Sequence, residues 1–249
     1  MFKIKTPEEI EIMWEGGQKL ALVKKELAKM VVPGALPLDI DKKAQEMILS
    51  LGGEPSFKKV RDYRWTTCIN INNGVVHGIP GEKPFNDGDI VKIDVGIFYK
   101  GFHNDSAFTL PVGDISTRNQ DFLDAGRQAL KESIAQARAG NKISDISKVI
   151  EEILTSRDYT PVRDLTGHGV GRNLHEEPMI PCFISGNPAN SPVIPEGATL
   201  AIEVIYMQGK PDLVILDDGW TIVTQDGKIA SLFEETIAVT AEGPQILSA

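Results

Sequence analysis

Two acidic residues lie inside segments that are otherwise apolar, and these segments constrain the fold more than any other feature of the chain. Asp94 is flanked by Ile93 and Val95, and Glu203 lies within the run Leu200-Ala201-Ile202-Glu203-Val204-Ile205. Short apolar runs of this kind are typical of strands that are buried on both faces. A lone buried carboxylate is costly, and a bound cation is a usual remedy. The sequence therefore predicts two buried strands that each present a carboxylate to a metal ion.

Three further residues extend this set, namely Asp105, His168 and Glu234. Taken singly, each has a plainer interpretation, because strand acids more often face solvent and a histidine in a Gly-rich loop is often structural. Together, four carboxylates and one imidazole suit Mn²⁺, Fe²⁺ or Co²⁺ and can also take Zn²⁺. Two such ions about 3.5 to 4 Å apart can activate water and polarise a carbonyl group. The set predicts metal-assisted hydrolysis.

The chain has the same order of elements in each half, which is helix, helix and then strands. Thr6-Pro7-Glu8-Glu9 has the pattern of a capping box, and it predicts a helix from there to about Met30. A second helix is expected over Leu38–Leu51, and the corresponding pair over Thr117–Ala139 and Ser144–Arg157. We predict one catalytic domain over residues 1–249, with pseudo-equivalent α+β halves at about 1–115 and 116–249.

A β-hairpin is predicted between these helix pairs. The segment 90–96 is expected to pair with 103–110 across a turn at Lys100-Gly101. Asp94 and Asp105 lie almost symmetrically about that turn. Residues directly opposite on antiparallel strands have Cβ atoms roughly 4.5 to 5.5 Å apart, so we expect these two carboxylates to share an ion.

Composition and charge exclude several classes of protein. The formal net charge of −9 argues against direct nucleic-acid binding, which depends on Lys and Arg. No apolar run is long enough for a membrane span, and the first ten residues lack the apolar segment of a secretory signal, so we expect a cytoplasmic protein. Cys68 and Cys182 are the only cysteines. They are expected to be reduced, with no disulfide framework or thiolate zinc site.

Six short motifs, in this order and spacing, resemble those of a type I methionine aminopeptidase, and the resemblance covers essentially the whole chain. They are VVHGIPG, IDVG, FHNDSAFT, GHGVGRNLHEEP, AIEV and FEETIAVT. The resemblance implies the pita-bread fold, a pseudo-twofold α+β structure with an antiparallel sheet flanked by helices. It also implies removal of the initiator methionine from nascent chains near the ribosome when the second residue is small. It favours a monomer.

The resemblance also implies roles for the candidate ligands. Asp94 would bind one ion, and His168 and Glu203 the other. Asp105 and Glu234 would bridge two divalent ions, which could be Co²⁺, Mn²⁺, Fe²⁺ or Zn²⁺. Within the FEET motif the expected ligand is Glu234 rather than its neighbour Glu235. Glu203 is also the expected proton-shuttling base.

Substrate contacts are implied in the same way. His77 and His175 would position the scissile peptide and stabilise its carbonyl oxygen as charge develops there. Tyr63, Cys68 and Trp220 would form an apolar slot for the methionine side chain. The chain departs from the family pattern around that slot: Asp62-Tyr63-Arg64-Trp65 precedes the Cys68 strand, and Leu174 stands where Phe is frequent. The fourth histidine, His103, lies in no motif of its own apart from its nearness to Asp105.

Two other functions fit parts of the pattern. An Xaa-Pro dipeptidase or aminopeptidase has the same fold and ligand scheme, but those relatives usually carry an additional amino-terminal domain and do not set their first histidine in HGIPG. A non-catalytic binding protein could keep the fold. Such proteins generally lose ligands, whereas all five ligand types are present here.

Overall fold

Four α-helices lie in two pairs along the chain. The computed structural model describes residues 1–249, with α1 over Pro7–Lys29, α2 over Pro37–Ser50, α3 over Thr117–Ile134 and α4 over Ile143–Thr155. The predicted order of helices is confirmed. Helix α3 ends before the expected Ala139, because the chain turns so that Ala137 enters the core and the Gly140 N–H donates to the Ile194 carbonyl, 2.9 Å away.

The start of α1 shows how a local pattern determines a boundary. The Thr6 hydroxyl accepts a hydrogen bond from the Glu9 N–H at 3.3 Å, and the Glu9 carboxylate accepts one from the Thr6 N–H at 3.0 Å. Both halves of the predicted capping box are therefore present. These bonds satisfy two donors that the first turn of a helix leaves unpaired.

All pairs of strands in the structure are antiparallel. The largest sheet has the order β1-β4-β5-β12-β9-β7-β8, with β2 beside β4, β6 beside β9 and β13 beside β12, and a small sheet has the order β10-β11-β3. The strands are β1 Glu54–Pro55, β2 Thr67–Ile71, β3 Gly74–Val76, β4 Ile90–Tyr99, β5 Phe102–Pro111, β6 Thr160–Pro161, β7 Thr166–Gly169, β8 Glu176–Pro181, β9 Thr199–Met207, β10 Leu213–Ile215, β11 Ile222–Thr224, β12 Ala230–Thr240 and β13 Gly243–Ile246. The predicted α+β class with an antiparallel sheet is confirmed.

Both helix pairs pack against the same face of the large sheet. On β12, Phe233 lies against Gly126 of α3, where an added Cβ would come within 2.6 Å of the Phe233 ring. Two residues further along, the Glu235 carboxylate lies 2.7 Å from Nζ of Lys24 on α1. Side chains two apart on a strand share a face. The opposite face of the sheet is therefore left free of these helices.

The central hairpin forms at the predicted turn but in a register different from the predicted one. Asp94 pairs with Ala107, and Asp105 pairs with Gly96. The expectation that the two acids lie directly opposite was wrong, because Lys100 and Gly101 both adopt positive φ and form a two-residue turn that pairs Tyr99 with Phe102. The acids are instead diagonal neighbours on the same face of the sheet.

None of the helices is both long and apolar enough to cross a membrane.

A substitution in α1 tests how closely that helix packs against the end of the chain. A Cβ added at Gly17 would lie 2.2 Å from the carbonyl oxygen of the buried Leu247. Alanine normally favours a helix over glycine by about 1 kcal/mol. Here we expect Gly17→Ala to lower the free energy of unfolding by roughly 1 to 3 kcal/mol, because backbone must move. Equilibrium urea unfolding measures this change.

Gly81→Ala is the control for that experiment, because nothing lies within 4 Å of a Cβ added at Gly81. Its stability should stay close to that of the unsubstituted protein. Equal stability of the two variants would contradict the close contact between α1 and Leu247.

Candidate metal centre

The five candidate ligands lie on the free face of the large sheet, in two adjacent rows that cross its strands. The first row contains three of the carboxylates, and in order across the strands it is Cys68, Asp94, Ala107, Glu234 and Glu203. The second row contains the remaining ligands, and in order it is Gly96, Asp105, Thr236, Ala201 and His168. Residues paired in this way have side chains on one face. Strand register alone thus gathers the five ligands.

Small and hydroxyl side chains separate most of the ligands within these rows, although Glu234 and Glu203 are direct neighbours. Ala107 and Ala201 occupy positions where a longer side chain would project among the carboxylates. The Thr236 hydroxyl accepts from the Asp105 N–H at 2.9 Å and donates to the Asp105 carbonyl at 2.7 Å. Thr236 therefore holds β5 to β12 beside the ligands, where the ladder between these strands is short.

The ligand atoms are close enough to surround a metal ion. One donor atom from each of Asp105, His168 and Glu234 lies within 4.8 Å of the others. His168 Nε2 lies 3.5 Å from a Glu203 carboxylate oxygen. The Nδ1–H of His168 donates to the Gly169 carbonyl at 2.8 Å, since a carbonyl can only accept. This bond leaves Nε2 as the lone-pair donor that faces the carboxylates.

Adjacent acids on β12 point to opposite faces of the sheet. Glu234 is almost completely buried among the other ligands. Glu235 faces α1, where its carboxylate accepts from Lys24 and from the hydroxyls of Ser106 and Ser248. Glu235 thus already has a cationic partner, whereas Glu234 has none within the protein.

Burial and mutual repulsion perturb these carboxylates strongly. Burial, followed by the nearby charges of other ligands, raises the pKa of Asp94, Glu203 and Glu234 well above the usual range. Burial raises the pKa of Asp105 to about 7, although hydrogen bonds from Asp94 and Ser106 oppose the rise. Burial lowers the pKa of His168 to about 4, so its imidazole is neutral at pH 7. Each shift disfavours the charged form, as desolvation requires.

The donor set fits divalent cations. Asp94 Oδ1 and Glu234 Oε1 are buried atoms with no hydrogen-bond partner. Buried oxygens in this condition are unfavourable unless a proton or a cation satisfies them. Oxygen-rich ligands with one neutral imidazole are suited to first-row divalent metals.

A small apolar pocket lies beside the carboxylates. It has a volume of about 130 Å³. Its apolar wall consists of Phe57, Val60, Tyr63, Cys68, Val76, Leu174 and Trp220. The Tyr63 ring contacts the Trp220 ring edge to face, with centroids 5.0 Å apart. The Tyr63 hydroxyl donates to the Thr67 carbonyl at 2.9 Å, which leaves the ring itself to line the pocket.

A second, larger cavity adjoins the apolar pocket. It has a volume of about 560 Å³, and it shares His77, His168, His175 and Glu203 with that pocket. The site therefore has a small apolar end and a larger end with mostly polar walls, and the two meet at these residues.

The two histidines outside the ligand set lie where these cavities meet. The rings of His168 and His175 are in edge-to-face contact, with centroids 4.4 Å apart. His77 has φ +57, which is rare for a residue other than glycine and often marks a functional site. Burial, with a contribution from His175, lowers the pKa of His77. A neutral imidazole can donate one hydrogen bond to a substrate carbonyl.

The structure brings all the predicted site residues together in one region, but part of the lining of the apolar pocket was not predicted from the sequence. Phe57 and Val60 lie in and beside the short 3₁₀ helix Phe57–Lys59, where no periodic pattern marks them. Trp65 supports the pocket from behind, because its ring packs against Tyr63 with centroids 5.4 Å apart. His103 does not line either cavity. It is buried and shares a 2.8 Å hydrogen bond with the Ser56 hydroxyl.

The antiparallel sheet and the carboxylate centre on its free face define a metal-dependent hydrolase. Residues 11–241 match the model of metallopeptidase family M24. The chain is 40% identical over 248 residues to methionine aminopeptidase 1 of Bacillus subtilis (strain 168), across 100% of this chain and 99% of that one. It is 38% identical over 248 residues to the methionine aminopeptidase of Clostridium perfringens (strain 13 / Type A), again across 100% and 99%.

Solved structures give the same result. The crystal structure of methionine aminopeptidase from Thermotoga maritima superposes with a TM-score of 0.96 at 39% identity, covering 100% of this chain and 99% of that chain. The prolidase from Pyrococcus furiosus has a TM-score of 0.78 at 23% identity, covering 99% of this chain and 65% of that one, which shows a shared fold alone. This chain belongs to metallopeptidase family M24 and, within it, to the methionine aminopeptidases. The pita-bread fold implied by the sequence motifs is confirmed.

The perturbed carboxylates predict an unusual pH dependence of stability. In the metal-free protein, raised pKa values mean that the folded state holds protons which the unfolded state has already lost. Stability should therefore fall as pH rises from about 6.5 to about 8.5, a window that includes the raised pKa of Asp105, about 7. Histidines contribute little there, since unfolded histidine has a pKa of about 6.5.

Thermal unfolding in the presence of EDTA at a series of pH values measures this dependence of stability on pH. The Glu203→Gln variant should show a weaker dependence, because it lacks one of the carboxyl groups with a raised pKa. Saturating Mn²⁺ should remove the fall or reverse it, because deprotonated ligands bind metal more tightly. If the stability of the metal-free protein rises across the same window, the folded state does not keep these carboxylates protonated as inferred here.

Proposed function

We propose that this protein is a methionyl aminopeptidase, which removes the initiator methionine from peptides and nascent chains when the second residue is small. The single observation that carries the proposal is the small apolar pocket of about 130 Å³ that lies beside the carboxylate cluster. One side chain can enter there, while the remainder of a peptide can lie in the larger cavity. Cleavage then releases one residue from an amino terminus. The names of the relatives support methionine as that residue.

The apolar walls suit an unbranched thioether side chain. Tyr63, Leu174 and Trp220 provide aromatic and aliphatic surface, and sulfur makes favourable contacts with aromatic rings. The Cys68 thiol is buried beside them, and burial raises its pKa well above the usual range. Cys68 therefore contributes an uncharged surface to the pocket.

We further propose that the five ligands hold two divalent ions, which could be Co²⁺, Mn²⁺, Fe²⁺ or Zn²⁺. Asp94 would bind one ion, His168 and Glu203 the other, and Asp105 and Glu234 would bridge them. When bound, such ions lower the pKa of water and polarise the scissile carbonyl. Their charge would also satisfy the buried Asp94 and Glu234 oxygens that lack partners.

The protein's own groups would carry the proton transfers and hold the peptide. Glu203 lies at the meeting point of the two cavities, where it can accept a proton from the attacking water and return it to the departing amine. His77 and His175 lie at the same point, where neutral imidazoles can donate to the scissile carbonyl. Such donors are worth a few kcal/mol when charge develops on that oxygen.

The two halves of the chain would act as one catalytic domain over residues 1–249. The half at 1–115 supplies Asp94 and Asp105, and the half at 116–249 supplies the other three ligands. We place the protein in the cytoplasm as a monomer that meets its substrates near the ribosome. Neither half holds a complete ligand set, which supports the single domain.

The neighbouring acids on β12 provide a matched pair for testing the metal assignment. Glu234→Gln should lower kcat by on the order of 100-fold or more and reduce the amount of bound metal, because it removes a charge among the ligands. Glu235→Gln should keep activity and bound metal, because Glu235 faces Lys24 on the other face of the sheet. Metal content and Met-Ala-Ser hydrolysis should be measured together. The reverse pattern would refute the assignment.

A peptide comparison tests the reaction itself. Metal-stripped protein reconstituted with Mn²⁺, Fe²⁺, Co²⁺ or Zn²⁺ should cleave Met-Ala-Ser and other Met-Xaa-Ser peptides with a small second residue. It should leave Ala-Pro peptides intact. Exclusive cleavage before proline would show an Xaa-Pro peptidase instead. Full activity without any metal would exclude the proposed chemistry.

A further inference from the structure

A completely buried lysine lies on the same face of the sheet as the ligands, two residues before Asp94 on β4. Lys92 has no exposed surface. Its Nζ atom donates to the carbonyl oxygens of Asn72 at 2.7 Å, Ala230 at 3.2 Å and Ile90 at 3.4 Å. No carboxylate lies within salt-bridge distance of it. Such burial lowers the pKa of Lys92 well below its usual range, because desolvating the charge is costly. The charged form therefore depends on the oxygens that surround Nζ.

The surroundings of this atom fit an ammonium group. All three of its hydrogen-bond partners are carbonyl oxygens, which only accept hydrogen bonds. An ammonium has three donors and no acceptor, so it can satisfy the three oxygens. A neutral amine would have one donor fewer, and its lone pair would face one of the oxygens.

The three carbonyls belong to segments that are distant in sequence. Asn72 lies in the turn between β2 and β3, Ile90 is the first residue of β4, and Ala230 is the first residue of β12. The Asn72 backbone is held further, since its N–H donates to Ile90 and its carbonyl accepts from the Ala230 N–H at 3.0 Å. The Lys92 ammonium lies at the centre of this junction.

Each of these segments leads to a functional residue. The turn at Asn72 leads through β3 to His77, β4 leads to Asp94, and β12 leads to Glu234. β3 itself lies in the separate small sheet with β10 and β11, and a further main-chain link near His77 is the hydrogen bond from the Ile69 N–H of β2 to the Gly78 carbonyl at 2.8 Å. The junction at Lys92 is therefore one of the places where the His77 segment is joined to the large sheet.

We propose that Lys92 is a positioning residue for the aminopeptidase reaction: its ammonium group is a built-in cation that joins the His77 segment to the ligand strands β4 and β12. The proposal rests on the proposed function, because His77 is given a substrate role there. Lys92 does not touch the substrate. It acts through main-chain carbonyls, so the charge and its position matter rather than any reactivity of the amine.

Three variants test this role in the full-length, metal-loaded protein. Lys92→Met keeps the length of the side chain without its charge, and it removes one donor from each of the three carbonyls, of which those of Asn72 and Ile90 keep a main-chain donor. We expect kcat for Met-Ala-Ser to fall by on the order of 10-fold, with a smaller change in KM and an unchanged metal content. Lys92→Ala should show a similar loss. Lys131→Met removes an exposed lysine from α3 and should behave as the unsubstituted protein does.

Chemical rescue separates positioning by a charge from simple packing. Propylammonium replaces the atoms that Lys92→Ala removes, and it should restore at least several-fold activity to that variant. n-Propanol has a similar shape without the charge and should not restore it. Neither compound should stimulate Lys131→Met. The proposal is wrong if Lys92→Met has unchanged kcat, or if propanol restores activity as well as propylammonium.

If Lys92→Met or Lys92→Ala does not fold at 25 °C, Lys92→Arg answers the same question. An Arg guanidinium keeps the charge and the donors but places them differently, so we expect a folded protein with reduced kcat and nearly normal KM. Full kcat in that variant would overturn the positioning role. Absence of Met-Ala-Ser cleavage by the unsubstituted protein would refute the proposed function instead.

Discussion

The burial of four carboxylates on one face of a single sheet is the constraint on which the rest of the structure depends. Desolvation and repulsion disfavour their ionised forms, as the raised pKa values of Asp94, Asp105, Glu203 and Glu234 show. The sheet can hold them because both helix pairs pack on its other face and supply the hydrophobic core there. The stability of this core offsets an electrostatic cost that protons or bound cations relieve. The candidate ligands thus lie on the face opposite the helices.

The asymmetry around this cluster explains how a simple sheet can become a selective exopeptidase. One cavity is small and lined by aromatic and aliphatic side chains, and the other is larger and has mostly polar walls. His77 and His175 lie between the two, and burial keeps His77 neutral, so that it can donate a hydrogen bond without adding a charge beside the metal ligands. Binding of one side chain and passage of the remaining peptide are therefore assigned to different walls of the same site.

Much of this could be predicted from sequence because the strongest signals are local. Asp94 and Glu203 stand out in apolar strands, and the capping box at Thr6 begins α1 where the pattern indicates. The register of Asp94 against Asp105 was wrong, because a two-residue turn at Lys100-Gly101 places Asp94 opposite Ala107, and Asp105 lies two residues short of that position. Phe57 and Val60 could not be assigned to the pocket, since they lie in irregular chain. Lys92 could not be singled out from the sequence, because only the tertiary structure shows its three carbonyl partners.

The side chains of β12 have a consequence for how the chain reaches this structure. Glu234 has no cationic partner within the protein on one face of the sheet, and Glu235 has Lys24 on the other. A slip of β12 by one residue would exchange the two faces. It would turn the Phe233 ring away from Gly126 and the Thr236 hydroxyl away from Asp105, but it would still present one glutamate on each face. The side chains that flank the two glutamates, rather than the glutamates themselves, therefore select the correct pairing of β12 during folding.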